Sequence, residues 1–168
     1  MTEEEKRQRC CCFTGHRIIP PEDKKAISER LRKTVIDLIE KGYCFFGAGG
    51  ALGFDTIAAQ TILDLKREYP HIKLILVFPC ENQTRGWPDS DKRMYEYLKE
   101  QADKFTYTST TYFRGCMQKR NRHLVDNSSA CICYLTQSTG GTAGTVKYAK
   151  TKGLDVFNVY EKAATDKL

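Results

Sequence analysis

At 168 residues the chain has the length of one ordinary domain, enough to bury a full core without help from disulfides or a structural metal. Its 27 lysines and arginines against 21 acidic residues leave a formal charge of +6 with the signs interspersed, a balance that suits an anionic small ligand as readily as nucleic acid. The eight cysteines form no C-x-x-C pair, and Cys10, Cys11, Cys12, Cys131 and Cys133 sit in strand-like runs, so they read as reduced thiols serving as small core hydrophobes. No His/Cys spacing points to a metal, and neither a signal segment nor a long apolar run is present, which predicts a cytoplasmic protein without membrane contact.

Residues 1–9 are charged and aperiodic, which reads as a flexible arm, and the apolar run 10–14 follows as a strand ending in Gly15, His16 and Arg17. Pro20 and Pro21 open a helix whose Ile27, Leu31, Val35 and Leu38 recur at helical steps until Gly42. A strand at 43–46 leads into Gly47-Ala48-Gly49-Gly50-Ala51-Leu52-Gly53-Phe54-Asp55, then a helix with Ala58, Ile62 and Leu65 on one stripe that Pro70 stops. Residues 74–78 are continuously apolar, as a strand covered on both faces requires. After the polar loop 79–88, Asp89 or Ser90 caps a helix carrying Met94, Tyr97 and Leu98. A strand at 105–108, a basic helix at 117–126 and a strand at 130–135 come next. A second glycine turn at 138–145, a helix to Lys152, a strand at 156–160 and a tail at 161–168 complete the pattern. Six strands alternating with five helices predict the α/β class, a Rossmann-like three-layer α/β/α fold on a mainly parallel six-stranded sheet, as a single domain over 10–160.

In such sheets ligands bind beyond the carboxyl ends of the strands where the strand order reverses. Four loops lie at such ends: Thr14, Gly15, His16 and Arg17; Gly47, Gly49, Gly50, Gly53 and Asp55; Glu81, Asn82 and Trp87; and Gly140, Gly141 and Thr142. Glycines free to take positive φ, followed by a helix whose first N–H groups lack partners, make an anion cradle; the alternative is a tight turn packed against its neighbours. The segment carries neither the usual dinucleotide fingerprint nor a Walker lysine. Arg17 reads as a phosphate partner, and His16 either as its companion or as a hydrogen bond to a loop. Glu81, Asn82 and Gln83 read a base or ribose or close a turn; Trp87 stacks on a base or plugs the loop. Asp55 is either an N-cap or a ribose-binding or catalytic carboxylate, and Cys116 a conceivable nucleophile. Arg114, Lys119, Arg120 and Arg122, near Tyr112 and Phe113, form either a solvated face or a nucleic-acid surface, and one or two of them, Arg120 among them, can reach the crevice.

Phe13-Thr14-Gly15-His16-Arg17, Gly49-Gly50-Ala51-Leu52-Gly53-Phe54-Asp55, Pro79-Cys80-Glu81-Asn82-Gln83, the run from Gly115 to Arg122 and Gly140-Gly141-Thr142-Ala143 together resemble the YpsA-like branch of the SLOG superfamily. The resemblance implies a Rossmann-like fold that binds nucleotides or nucleotide-derived ligands, usually as a homodimer. The superfamily includes the LOG phosphoribohydrolases and the DNA-processing protein DprA, which handles single-stranded DNA. The LOG motif P-G-G-x-G-T-x-x-E ends in a glutamate that serves glycosidic cleavage, and Lys147 stands at the matching position here. Binding of a small anionic nucleotide-like ligand is therefore the leading expectation. Nucleoside-monophosphate hydrolysis through Asp55 or Glu81 and single-stranded nucleic-acid binding are the alternatives.

Overall fold

The structure is a computed structural model that describes residues 1–160; the tail expected at 161–168 lies outside the described residues. Strands β1 (Cys10–Gly15), β2 (Phe45–Ala48), β3 (Lys73–Phe78), β4 (Lys104–Tyr107), β5 (Ala130–Tyr134) and β6 (Asp155–Asn158) form one sheet in the order β4-β3-β2-β1-β5-β6, every neighbouring pair parallel. The chain steps outward from β1 to β4, then returns across the sheet to lay β5 against β1, with Phe13 opposite Ile132 and Thr14 opposite Cys133. That reversal opens a crevice beyond the carboxyl ends of β1 and β5.

Helices α2 (Lys24–Glu40), α3 (Phe54–Leu65) and α4 (Asp89–Gln101) cover one face, and α5 (Cys116–Asp126) and α6 (Gly141–Thr151) the other. Alternation along β1 and β5 feeds the two cores separately. Cys11, Phe13, Ile132 and Tyr134 enter the larger core with Phe46, Phe54, Leu74 and Phe78, while Cys12 and Cys131 join Val77, Leu124, Val125 and Ala149 in the smaller one. Phe13 stacks on Phe46 at 6.3 Å and meets Phe54 edge-on at 6.4 Å, and burial of each such side chain contributes about 1.5–3 kcal/mol. Among the described residues no helix is long and apolar enough to cross a membrane.

Several expectations need correction. Residues 1–9, read as a loose arm, contain helix α1 (Glu3–Gln8). Thr2 and Glu5 form a capping box, and Arg7 donates to the Ser128 carbonyl at 3.2 Å, ties that outweigh the lack of an apolar stripe. β2 starts two residues later than 43, because Tyr43 belongs to the end of α2: Gly42 takes φ 102° and the Tyr43 N–H donates back to the Leu38 carbonyl. The strand thus absorbs Gly47 and Ala48. Neither Asp89 nor Ser90 caps α4; Pro88 precedes it at ψ 151°, and no side chain caps the helix. On α4 it is Tyr95, not the half-exposed Tyr97, that enters the core beside Leu98.

Candidate functional site

The crevice at the β1/β5 reversal has a volume of about 240 Å³. Of the four loops expected there, two line it fully: Thr14, Gly15, His16 and Arg17 after β1, and Gly140, Gly141 and Thr142 after β5, with Gln137 and Thr139 beside them. From the first glycine segment only Ala51 and Asp55 reach it, and α5 contributes Met117, Arg120 and Asn121.

His16 is fixed in place. Its Nε2 accepts the Thr136 N–H at 3.0 Å and its ring meets Tyr134 edge-on at 5.4 Å, so the loops after β1 and β5 are joined across the crevice floor. An accepting Nε2 puts the proton of the neutral ring on Nδ1, and partial burial lowers the pKa of His16, which favours that neutral form. Arg17 is exposed, and its carbonyl packs against Gly53.

Asp55 and Arg120 are the buried ionisable side chains of the crevice, 6% and 4% exposed respectively. Asp55 is not the N-cap of α3, whose cap position is Gly53; its Oδ2 accepts the Ala51 N–H at 3.2 Å and so ties down the segment that precedes the helix. Burial raises the Asp55 pKa, and the charges of Arg120 and Arg17 oppose that rise. Burial also lowers the Arg120 pKa, with Asp55 opposing it. The Arg120 guanidinium donates to the Gly49 carbonyl, to the Val77 carbonyl at 3.3 Å and, through Nε, to the Asn121 Oδ1 at 2.8 Å. Of the two places expected for Arg120, a basic surface or the crevice, it takes the second, lining the crevice as a buried strut that sets the path of the first glycine segment.

That segment is built around protein atoms. Gly47 lies within β2, paired with Cys12 and Ile75, where a Cβ would come to 3.0 Å from Leu124. Side chains at Gly49, Gly50 and Gly53 would run into the Arg120 guanidinium, the Phe78 ring and the Arg17 carbonyl; Gly50 and Gly53 also have φ of 72° and 78°. A substitution at Gly49 therefore tests packing before it tests ligand contact.

The loop after β3 does not line the crevice. Glu81 and Asn82 are exposed and close a turn, with the Glu81 N–H donating to Thr110 and the Asn82 carbonyl accepting from Arg85. Trp87 is half-buried, edge-on to Tyr95 at 5.8 Å, so it plugs the loop against α4. Gln83 is buried beneath Gly50, and neither atom of its amide has a partner among the described residues. Of the two candidate carboxylates only Asp55 thus faces the crevice, and Lys147 is exposed on α6. Cys116 is fully buried at the start of α5. Sequence reasoning missed Asn121, Gln137 and Thr139; Asn121 sits inside the basic run of α5, where charge draws attention away from an amide.

Over this crevice α6 begins with Gly140 as its N-cap and no side-chain cap. The last residue of its first turn, Gly144, donates to the Gly140 carbonyl, which leaves the earlier N–H groups for a ligand or water. Among the described residues, Cβ atoms at Gly141 and Gly144 would meet nothing within 4 Å. The anion-attracting end of a helix is therefore open to the space between Arg17 and Asn121.

An SPbeta prophage-derived protein of Bacillus subtilis, YoqJ, is 30% identical over 137 residues, covering 74% of this chain and 80% of the relative. A UPF0398 protein of Brevibacillus brevis is 28% identical over 118 residues, 69% of this chain and 63% of the relative, so the match spans less than two thirds of that protein. The solved structure of DNA processing protein A from Helicobacter pylori, described by its single-stranded DNA binding mode, superimposes with a TM-score of 0.66 at 18% identity over 99% of this chain and 73% of that one, a likeness of fold. The model of the YspA SLOG family (YpsA) matches residues 20–161, and the chain belongs to that family.

Proposed function

We propose that the protein binds a nucleotide or nucleotide-derived anion in the crevice between β1 and β5. The observation that carries this reading is the start of α6, without a side-chain cap and open over Gly141, facing exposed Arg17 across a cleft whose floor is fixed by His16. Phosphate oxygens accept hydrogen bonds, and this end of the cleft supplies N–H donors and positive charge. Melting the protein in the presence of AMP, ADP-ribose and other nucleoside phosphates tests it. A ligand at one hundred times its dissociation constant adds about 2.7 kcal/mol, and Arg17→Ala reduces the shift. If no member of the panel raises the melting temperature, the reading is wrong. Chromatography of the same mixtures for free base tests the hydrolase alternative, for which Asp55 is the carboxylate in place; base release that persists in Asp55→Asn removes it from that role.

A second reading, single-stranded nucleic-acid binding, draws support from the exposed rings of Tyr112 and Phe113 beside Arg114, with the Lys119 Nζ 6.0 Å from the Phe113 ring centre. Arg120 and Trp87, buried and half-buried, do not belong to such a surface. Oligonucleotide binding that weakens steeply with salt and with Phe113→Ala supports it, and no binding at low salt eliminates it.

A further inference from the structure

The crevice continues past the start of α6. A second cleft, of about 430 Å³, runs between α5 and α6 and shares Asn121, Gly140 and Gly141 with the first. The crevice alone, at about 240 Å³, is smaller than the roughly 300–1,000 Å³ usual for sites that enclose a small ligand, whereas the joined clefts fall within that range.

The second cleft has donors of its own. Arg122 lies with its guanidinium 5.4 Å from the centre of the Tyr148 ring, and that ring is steadied by the hydrogen bond from Tyr148 Oη to Asp126 at 2.7 Å. Among the described residues Arg122 has no carboxylate within ion-pair distance. At the junction, Asn121 Oδ1 is occupied by the Nε of buried Arg120, which fixes the amide orientation and leaves Nδ2 as a donor with no acceptor among the described residues. An amide N–H and a guanidinium with no acceptor beside them match a group that only accepts: a phosphate.

We infer, on the basis of the nucleotide reading above, that the ligand is longer than a mononucleotide. It is a nucleoside phosphate extended through a second phosphoryl group, whose distal phosphate meets Asn121 Nδ2 and Arg122. A pyrophosphate-linked nucleotide and the 5′ end of a short strand share this chemistry. Calorimetric titration of wild type and Arg122→Ala with AMP, ADP-ribose and a 5′-phosphorylated diadenylate tests the inference and separates the two sources. At least one extended ligand binds wild type about tenfold or more tightly than AMP, the value of one charge-assisted contact, and Arg122→Ala brings that ratio close to one. Whichever extended ligand gains identifies the linkage. Equal affinity for AMP and both extended ligands overturns the inference while the nucleotide reading stands, and so does a ratio that Arg122→Ala leaves unchanged. Failure of all three ligands to bind overturns both.

Discussion

In the first glycine segment a Cβ added at Gly50 would sit 2.5 Å from the Phe78 ring, and Gly49 and Gly53 are pressed as closely by Arg120 and by the Arg17 backbone. In the second segment Gly141 and Gly144 face open space, and Gly140 meets only the Gln137 amide at 3.5 Å. The two stretches look alike in composition, but glycine serves close packing in one and keeps a helix end open in the other. The first is scaffold for Asp55, and the second is the surface a ligand can reach. A glycine-rich loop by itself does not say which side of the backbone the missing side chain leaves free.

Removing the strut of the packed segment is the strongest way to break this contrast. Arg120→Ala leaves the Gly49 and Val77 carbonyls without their donor and strips Asp55 of its main opposing charge, so a loss of about 3–5 kcal/mol in urea unfolding is expected. A loss under about 1 kcal/mol would show that the first segment holds its path without the guanidinium. Gly53→Ala comes next: left-handed strain and overlap with the Arg17 carbonyl together cost about 2–3 kcal/mol. In the open segment the sign reverses. Gly144→Ala fits a helical position with free space around it and stabilises the protein by about 0.5–1 kcal/mol, while narrowing the cleft between α5 and α6 and weakening binding of the extended ligand. A variant that melts higher and binds as well as wild type would detach Gly144 from the ligand path.

The sheet was legible because its four inner strands are largely apolar and its helices carry regular stripes, as Ile27, Leu31, Val35 and Leu38 show on α2. The alternation of strands and helices implies a doubly wound sheet but not its strand order, and it is the structure that sets β5 against β1. The errors arose where a local backbone motif or a tertiary contact decides. Gly42 ends α2 in a backbone motif that claims Tyr43 from the next strand, and Thr2 with Glu5 makes a helix from a segment without an apolar face. The loop after β3 has the polar residues of a binding loop, yet Trp87 turns toward Tyr95 and takes the loop away from the crevice. Arg120 and Arg122 stand two positions apart in a basic run, about 200° around a helix, so one is buried and the other faces solvent. Helical phase separates them, but only the position of the sheet says which one goes inside.

The smallest expected effect concerns the carboxylate that the packed segment delivers to the open one. Burial raises the Asp55 pKa above its ordinary value of 3.8, so in the native state it holds a proton at pH values where the unfolded chain has released it. Its contribution to stability is then fully present below pH 3.8 and is lost as pH rises through the native value. Asp55→Asn keeps an oxygen for the Ala51 N–H but does not titrate, and the other carboxylates are common to both proteins. The stability of wild type minus that of the variant is therefore expected to be largest in acid and to shrink as pH rises above 3.8, measured as paired melting temperatures across that window. A difference that grows with pH would mean that the charges of Arg120 and Arg17 outweigh burial and hold Asp55 ionised. The carboxylate would then offset part of the positive charge that the crevice presents to an anion, whereas the protonated form leaves that charge to the ligand.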